Sequence, residues 1–196
     1  YGTWGEELQA PWDALKKAGH DLTLTTPLGK KPLPLAVSVD PEFFDPVIEF
    51  HVNPPEVCSR VKEILETGEW DNPVQFSDVD MKDYDCIVMS GGLGTMLDYA
   101  NNLSLKKLVL DAYNSDKLIG AICYAVTVLA FTRDPKNSHK SIIYGKSVTA
   151  HPRAWDFDID LTFDLHNATK DNAGTDLVAT GFLYPLQDIV TDAVGP

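Results

Sequence analysis

Cysteine is scarce in this chain: its 196 residues include only three, Cys58, Cys86 and Cys123. Three scattered cysteines cannot build the disulfide framework of a small secreted domain, and no two of them form the Cys-x-x-Cys pair of a common metal site. The sequence therefore predicts a protein of the reducing cytoplasm, with no metal centre.

Basic residues are also few, because 16 Lys and Arg stand against 29 Asp and Glu and leave a formal net charge of −13. Such a charge repels nucleic acid and anionic lipid, and no basic cluster offsets it. Long apolar runs are missing too, since none approaches the roughly 18 residues that a membrane-spanning helix needs. We therefore expect neither nucleic acid nor a membrane among the partners.

No internal repeat or low-complexity tract divides the chain, and its length suits one α/β domain over residues 1–196. The sequence opens without an initiator Met and without a leading apolar strand. This opening is typical of the loop after a first strand, which is absent either from the natural protein or only from this sequence. The last helical pattern stops abruptly in the same way.

Apolar spacing predicts the secondary structure. A period near 3.6 predicts helices, and apolar runs rich in β-branched residues predict strands. The predicted helices are residues 8–18, 57–66, 102–115 and 186–194, with a further helix after Cys123. The predicted strands are residues 22–26, 85–90, 118–122, 147–150, 156–164 and 176–180. Their order predicts a parallel sheet covered by helices on both faces.

Residues 30–56 are a proline-rich excursion that holds six of the 13 prolines. Because proline removes a backbone donor and fixes φ, neither a long helix nor a central strand can run through this segment. We expect an ordered surface excursion. Its aromatic residues Phe43, Phe44 and Phe50, with His51, make it a candidate lid.

The stretch at residues 118–130 carries the strongest local signal. An apolar run reaches Cys123 among small residues, and a second apolar run of helical character begins directly after it. A nucleophile elbow has this strand-turn-helix form, with the reactive side chain in front of a helix N-terminus that favours an anion. The alternative is a buried core cysteine, because free cysteines are often buried.

A thiol near its ordinary pKa is a weak nucleophile unless a neighbouring group activates it. Among the five histidines, His151 is the best placed, because it follows a predicted strand whose carboxyl end would meet the site. His20, His139 and His166 are predicted in turns or polar loops, and His51 belongs to the excursion. For each of them a purely structural role is the alternative.

Four motifs in order identify the chain as resembling the ThiJ/PfpI superfamily, the class I glutamine amidotransferase-like group. It is most similar to the heat-shock/glyoxalase III and parkinsonism-associated redox-protein branches. The motifs are Glu-Glu-Leu-Gln-Ala-Pro at residues 6–11, Asp-Tyr-Asp with Gly-Gly-Leu-Gly at 83–98, Ala-Ile-Cys at 121–123 and Gly-Lys-Ser-Val-Thr-Ala-His-Pro at 145–152. The resemblance implies a flavodoxin-like three-layer α/β sandwich with a mostly parallel sheet.

The resemblance also implies roles for individual residues. Cys123 would be the nucleophile, Glu7 a buried general acid/base and His151 a proton relay. The backbone N–H groups of Gly91, Gly92 and Tyr124 would stabilise an oxyanion. No cofactor would be needed, and a homodimer is expected.

Departures from the family pattern affect the pocket. Tyr124 stands where the glyoxalase III branch has a histidine after the nucleophile, and Leu93 replaces a histidine in the glycine turn. Phe182 and Tyr184 replace a proline-serine signature, so the substrate pocket, assigned to Trp4, Leu93, Phe182 and Tyr184, should be bulkier and more apolar than a methylglyoxal site. Trp12 and Trp155 are further candidate aromatic walls. Asp156 and Asp158 could orient His151, but their alternating acidic pattern predicts solvated side chains.

The function implied is a cysteine-dependent, cofactor-independent enzyme that acts on a small electrophile, as in the glyoxalase III-like hydration and dismutation of an α-oxoaldehyde. The alternatives are an isonitrile hydratase-like enzyme and a non-enzymatic redox sensor or chaperone that uses an oxidisable Cys123. An amidase or peptidase is a further class, against which the missing adjacent histidine is mild evidence.

Overall fold

The structure is a computed structural model that describes residues 2–156, 163–169, 172–179 and 185–196. Phe182 and Tyr184, assigned above to the pocket wall, lie outside the described residues, as does Asp158. Within the described part of the chain, no helix is long and apolar enough to cross a membrane.

Seven α-helices are present in the described residues. They are α1 (Gly5–Lys17), α2 (Pro55–Thr67), α3 (Gly94–Asp98), α4 (Leu103–Asn114), α5 (Val126–Phe131), α6 (Arg153–Asp156) and α7 (Leu186–Val194). Short 3₁₀ turns include Ala36–Val39 and Cys123–Ala125. The four helices predicted from apolar spacing correspond to α1, α2, α4 and α7, and the predicted helix after Cys123 corresponds to α5.

Ten strands pair two by two in the described residues. They are β1 (Thr25–Thr26), β2 (Phe44–Asp45), β3 (Phe50–His51), β4 (Val74–Gln75), β5 (Cys86–Met89), β6 (Leu118–Ala121), β7 (Arg133–Asp134), β8 (Lys140–Ser141), β9 (Phe163–Thr169) and β10 (Asn172–Ala179). The pairs β1–β4 and β5–β6 are parallel. The pairs β2–β3, β7–β8 and β9–β10 are antiparallel.

The β5–β6 ladder positions the candidate site. Its register places Met89 opposite Ala121, so both strands end at the same edge. The glycine turn at residues 91–94 follows β5, and Cys123 follows β6. Parallel strands thus bring the two motifs together, although 32 positions of sequence separate Gly91 from Cys123.

Helix α1 brings Glu7 to this edge. Acidic residues in its first turn and basic residues in its last turn complement the helix dipole. Pro11 lies inside the helix and has no N–H to donate to the carbonyl of Glu7, four residues earlier. The backbone N–H of Gly5 donates to Ser38 Oγ at 2.9 Å, which fastens the start of α1 to the proline-rich excursion.

A second contact fastens α1 to α2. The Arg60 guanidinium hydrogen-bonds Asp13 on α1 and forms an ion pair of 2.8 Å with Glu69. Hydrogen bonds from Arg60 and Lys16 lower the pKa of Glu69 to about 2. Below these charges, Val61, Ile64 and Trp70 form a small apolar cluster with no exposed surface.

The larger hydrophobic core lies among β5, β6 and helices α4, α5 and α7. Val109, Val128 and Leu186 are fully buried representatives of these helices. This packing fixes α5 directly behind the elbow, and it also holds the start of α7 near it.

Three strand predictions need correction. The strand over residues 22–26 is limited to Thr25–Thr26, because only these residues pair with β4. Residues 147–150 are not a strand, because they pair with none of the described strands. The strand predicted over 156–164 is wrong at its start, because Asp156 ends α6, whereas β9 begins at Phe163.

The proline-rich excursion contains a 3₁₀ turn and the β2–β3 hairpin. Asn53 holds it together by donating from Nδ2 to the carbonyl oxygens of Val37 and Asp40, at 2.6 and 2.8 Å. Its role as a lid stays a prediction.

Candidate active site

Cys123 occupies a sharp turn between β6 and α5. Its φ of +56° lies in the left-handed region, which a residue with a side chain seldom adopts. The N–H of Ile122 still donates to the Met89 carbonyl at 3.2 Å, so the turn begins where the ladder ends. A strained backbone at this point presents the thiol above the strand end, as a nucleophile elbow does.

Glu7 reaches the same point from α1. Its Oε2 accepts a hydrogen bond of 2.8 Å from the backbone N–H of Gly91, and its carboxyl is hydrogen-bonded to the Cys123 thiol. A Cβ added at Gly91 would lie 2.5 Å from Glu7 Oε2 and 2.7 Å from Cys123 Cβ. The two side chains therefore converge over Gly91, where only glycine fits.

Gly92 extends this close approach. Its φ is +99°, and an added Cβ would lie 2.4 Å from the backbone nitrogen of Trp4. The Trp4 N–H donates to the Gly91 carbonyl at 3.2 Å. The glycine turn thus holds the start of α1, and with it Glu7, against the elbow.

The thiol and the carboxyl perturb each other. Burial raises the pKa of Glu7, although hydrogen bonds from Cys123 and Gly91 oppose the rise. Burial and the nearby Glu7 carboxylate raise the pKa of Cys123 to about 12, against hydrogen bonds from the N–H groups of Gly92 and Tyr124. The electrostatics therefore favour a neutral thiol beside Glu7 at neutral pH, rather than a free thiolate.

His151 faces Asp156. Its Nε2 lies 2.8 Å from Asp156 Oδ1, and its ring stacks on Trp155 with centroids 6.0 Å apart. The ring also meets Tyr124 edge-on at 4.7 Å. Because Nε2 is engaged by the carboxylate, Nδ1 is the nitrogen left for a reacting group.

Asp156 is a candidate functional residue whose burial the sequence did not indicate. Predicted to be solvated, it is only 2% exposed. Its Oδ1 also accepts the Tyr124 hydroxyl, and its Oδ2 accepts the backbone N–H of Leu186 at 2.7 Å. Burial of the Tyr124 phenol and its hydrogen bond to Asp156 raise the pKa of the phenol. The alternating acidic pattern predicted a solvated side chain at position 156. The sequence feature that could have indicated its role is its position five residues after His151.

Several of the candidate site residues line a cavity of about 990 Å³. Glu7, Cys123, Tyr124 and His151 line it, and so do the predicted pocket residues Trp4 and Leu93 and the neighbouring Gly92. Phe44 and Phe50 of the β2–β3 hairpin also line it. Trp12 lies elsewhere, packed edge-on against Trp70. His51 meets Phe44 with ring centroids 5.5 Å apart.

Metal ligation finds no support in the part of the chain that the structure describes. No three His, Cys, Asp or Glu side chains among those residues are grouped closely enough to hold an ion. The arrangement of Cys123, Glu7 and His151 suits nucleophilic and acid–base chemistry.

Comparison with known families decides the assignment. A family model described as ThiJ/PfpI family-like matches residues 1–154. The chain belongs to the ThiJ/PfpI family. The match includes the elbow, the glycine turn, Glu7 and His151, and it ends two residues before Asp156.

Curated relatives of this ThiJ/PfpI-family chain include glyoxalases. It is 28% identical over 151 residues to Glyoxalase 3 of Candida albicans, a match that covers 76% of this chain and 59% of the relative. It is 26% identical over 153 residues to glutathione-independent glyoxalase hsp3101 of Schizosaccharomyces pombe, covering 74% and 56%. The chain thus spans little more than half the length of these relatives.

Solved structures agree on the fold of this ThiJ/PfpI-family chain. Glyoxalase III of Candida albicans matches with a TM-score of 0.58 and 26% identity, over 74% of this chain and 56% of that one. Rapid Encystment Protein 24 KDa of Francisella tularensis matches with a TM-score of 0.57 and 27% identity, over 74% and 58%. The predicted flavodoxin-like α/β fold class is confirmed.

Proposed function

We propose that this chain is a glutathione-independent glyoxalase, which converts an α-oxoaldehyde and water into a 2-hydroxy acid without a cofactor. The observation that carries the proposal is the convergence of the Cys123 and Glu7 side chains over Gly91 at the elbow. The glyoxalase names of the relatives support it.

The first step is addition of sulfur to the aldehyde carbon. As the carbon–sulfur bond forms, the C=O π bond breaks and the thiol proton passes to the hydrogen-bonded Glu7 carboxylate. This transfer explains how a thiol of raised pKa can react, because no free thiolate has to accumulate. The N–H groups of Gly92 and Tyr124, which point at the sulfur, can also donate to the developing alkoxide.

The later steps move protons within the bound adduct. Removal of the proton from the former aldehyde carbon and protonation of the neighbouring carbon convert the hemithioacetal into a thioester. One carbon is oxidised and its neighbour is reduced, so no external oxidant is needed. Water then cleaves the carbon–sulfur bond, releases the 2-hydroxy acid and returns a proton to sulfur. Glu7 and His151 are the proposed proton carriers.

Replacement of the two central side chains tests this function. Cys123→Ala should abolish formation of lactate from methylglyoxal, because it removes the nucleophile. Glu7→Gln should lower kcat by about 10²- to 10⁴-fold, the usual contribution of a general acid or base. Lactate is measured directly by chromatography.

The matched controls are Cys86→Ala and Glu66→Gln, which change exposed residues of the same types. Both should keep activity within about twofold of the wild-type protein. Wild-type-like turnover by Cys123→Ala would contradict the proposal, and so would a wild-type protein that forms no 2-hydroxy acid. Aryl isonitriles and simple amides in the same assay test the alternative activities.

A further inference from the structure

The cavity beside Cys123 is lined by more aromatic surface than a three-carbon aldehyde such as methylglyoxal requires. Trp4, Phe43, Phe44, Phe50 and Trp155 all contribute to it. Trp4 and Phe43 meet edge-on with centroids 6.4 Å apart, so part of the wall is already an aromatic pair. Further aromatic rings can join such edge-on or offset arrangements favourably.

Three of these rings remain open to solvent. Phe44 is 50% exposed, Phe50 is 53% exposed and Trp155 is 44% exposed. Exposed aromatic residues that line one cavity mark a surface where covering by an apolar group lowers the free energy. A small aldehyde at Cys123 would leave most of the 990 Å³ cavity wet, whereas an aryl substituent could reach the rings.

The charge of the lining is one-sided. The lining includes four acidic residues, Glu6, Glu7, Asp40 and Asp45, while no Lys or Arg lines the cavity among the residues that the structure describes. The imidazole of His151 is held by Asp156. A substrate carboxylate would therefore lie among acidic residues, with no Lys or Arg of the described lining to pair with it, which disfavours an anion.

We infer that the substrate is an aromatic α-oxoaldehyde that carries no negative charge, an arylglyoxal whose ring lies against Phe44, Phe50 and Trp155. This inference rests on the proposed glyoxalase function and names its substrate class. Phe44 and Phe50 are then specificity-determining residues, because they contact the aryl group and not the reacting carbons.

A set of matched aldehydes tests the inference. Formation of mandelate from phenylglyoxal should have a kcat/KM at least about tenfold higher than formation of lactate from methylglyoxal. A 4-carboxylate on the phenyl ring should lower kcat/KM at least about tenfold, whereas a neutral 4-carboxamide of similar size should not. Arginine side chains also consume such aldehydes. Turnover is therefore measured as the 2-hydroxy acid formed and not as the aldehyde lost.

Variants locate the aryl site. Phe44→Ala and Phe50→Ala should each lower kcat/KM for phenylglyoxal about tenfold and lower kcat/KM for methylglyoxal far less. Phe131→Ala, which changes a 37% exposed phenylalanine outside the cavity lining, should alter neither. Equal losses for both substrates in the cavity variants, or no loss for either, would overturn the inference.

The outcomes separate this inference from the proposed function. Cys123-dependent methylglyoxal turnover without preference for phenylglyoxal would overturn the aryl specificity and leave the glyoxalase function standing. If no aldehyde is turned over, the glyoxalase function fails, and calorimetry with 2-hydroxyacetophenone and benzoate decides the rest. Binding of the neutral ketone alone, weakened by Phe44→Ala, supports the aryl pocket; equal binding of benzoate, or no binding of either, overturns it.

Discussion

At the scale of single residues, the central feature of the site is the hydrogen bond between the Cys123 thiol and the Glu7 carboxyl. Burial raises the pKa of both groups, and the carboxylate raises that of the thiol further. A thiolate at rest is therefore disfavoured, which weakens the alternative of a peroxide sensor, because that chemistry needs an accessible thiol of low pKa. The same arrangement suits a nucleophile that ionises only as it reacts.

Alkylation kinetics should reveal this coupling. Because the pKa of Cys123 is raised to about 12, the thiolate fraction stays small at neutral pH, and alkylation by iodoacetamide should still be accelerating at pH 10. Glu7→Gln removes the carboxylate, so the pKa of the thiol falls and the profile moves to lower pH. Mass spectrometry of the Cys123 peptide gives the rates.

Cys86 supplies the internal reference in the same sample, because it is exposed and lies at the start of β5, away from the carboxylate. Its profile should be the same in both proteins. A wild-type Cys123 profile that reaches its plateau below pH 7, or no shift in Glu7→Gln, would show that the two groups are not coupled.

At the scale of elements, Asp156 connects three parts of the fold. It ends α6, accepts the Tyr124 hydroxyl from the elbow turn and accepts the N–H of Leu186 at the start of α7. It also orients His151. One buried carboxylate thus fixes His151 and Tyr124 relative to each other, and we regard it as a positioning residue.

Asp156→Asn tests this connection. The amide keeps the shape but cannot accept all of the hydrogen bonds, so His151 loses its fixed tautomer and orientation. We expect kcat for α-oxoaldehyde turnover to fall roughly 10²-fold, at the lower end of general acid–base effects, with KM changed less than about threefold. Steady-state kinetics across pH 6–9 gives both constants.

Asp188→Asn is the matched control, since Asp188 is a 45% exposed carboxylate on α7 paired with Arg153. It should behave like the wild-type protein. If Asp156→Asn lowers the melting temperature but leaves kcat and its pH profile unchanged, Asp156 is purely structural.

At the scale of the whole molecule, the sequence predicted those features that depend on local pattern. Apolar periodicity located α1, α2 and α4, and Gly68, with a φ of +78°, ends α2 at the position that the pattern indicated. The elbow was predictable because Cys123 follows a strand pattern directly. The homodimer expected from the family resemblance stays a prediction.

Features that depend on distant packing were not predictable. Asp156 is buried because Tyr124 and the start of α7 converge on it, and no local pattern records that convergence. Residues 147–150 have strand-like composition, but a strand also needs a partner for its backbone groups. The raised pKa of Cys123 follows from burial of the thiol and from the nearby Glu7 carboxylate, neither of which sequence spacing shows.

The central claim is that Cys123 forms a covalent intermediate with an α-oxoaldehyde under the control of Glu7. The most direct measurement is the mass of the Cys123 peptide from wild-type protein quenched in acid during turnover of phenylglyoxal or methylglyoxal. We predict a mass increase equal to the aldehyde on Cys123, which is lost when the substrate is exhausted. Steady formation of 2-hydroxy acid with no adduct on Cys123, or undiminished turnover after Cys123→Ala, would contradict the account.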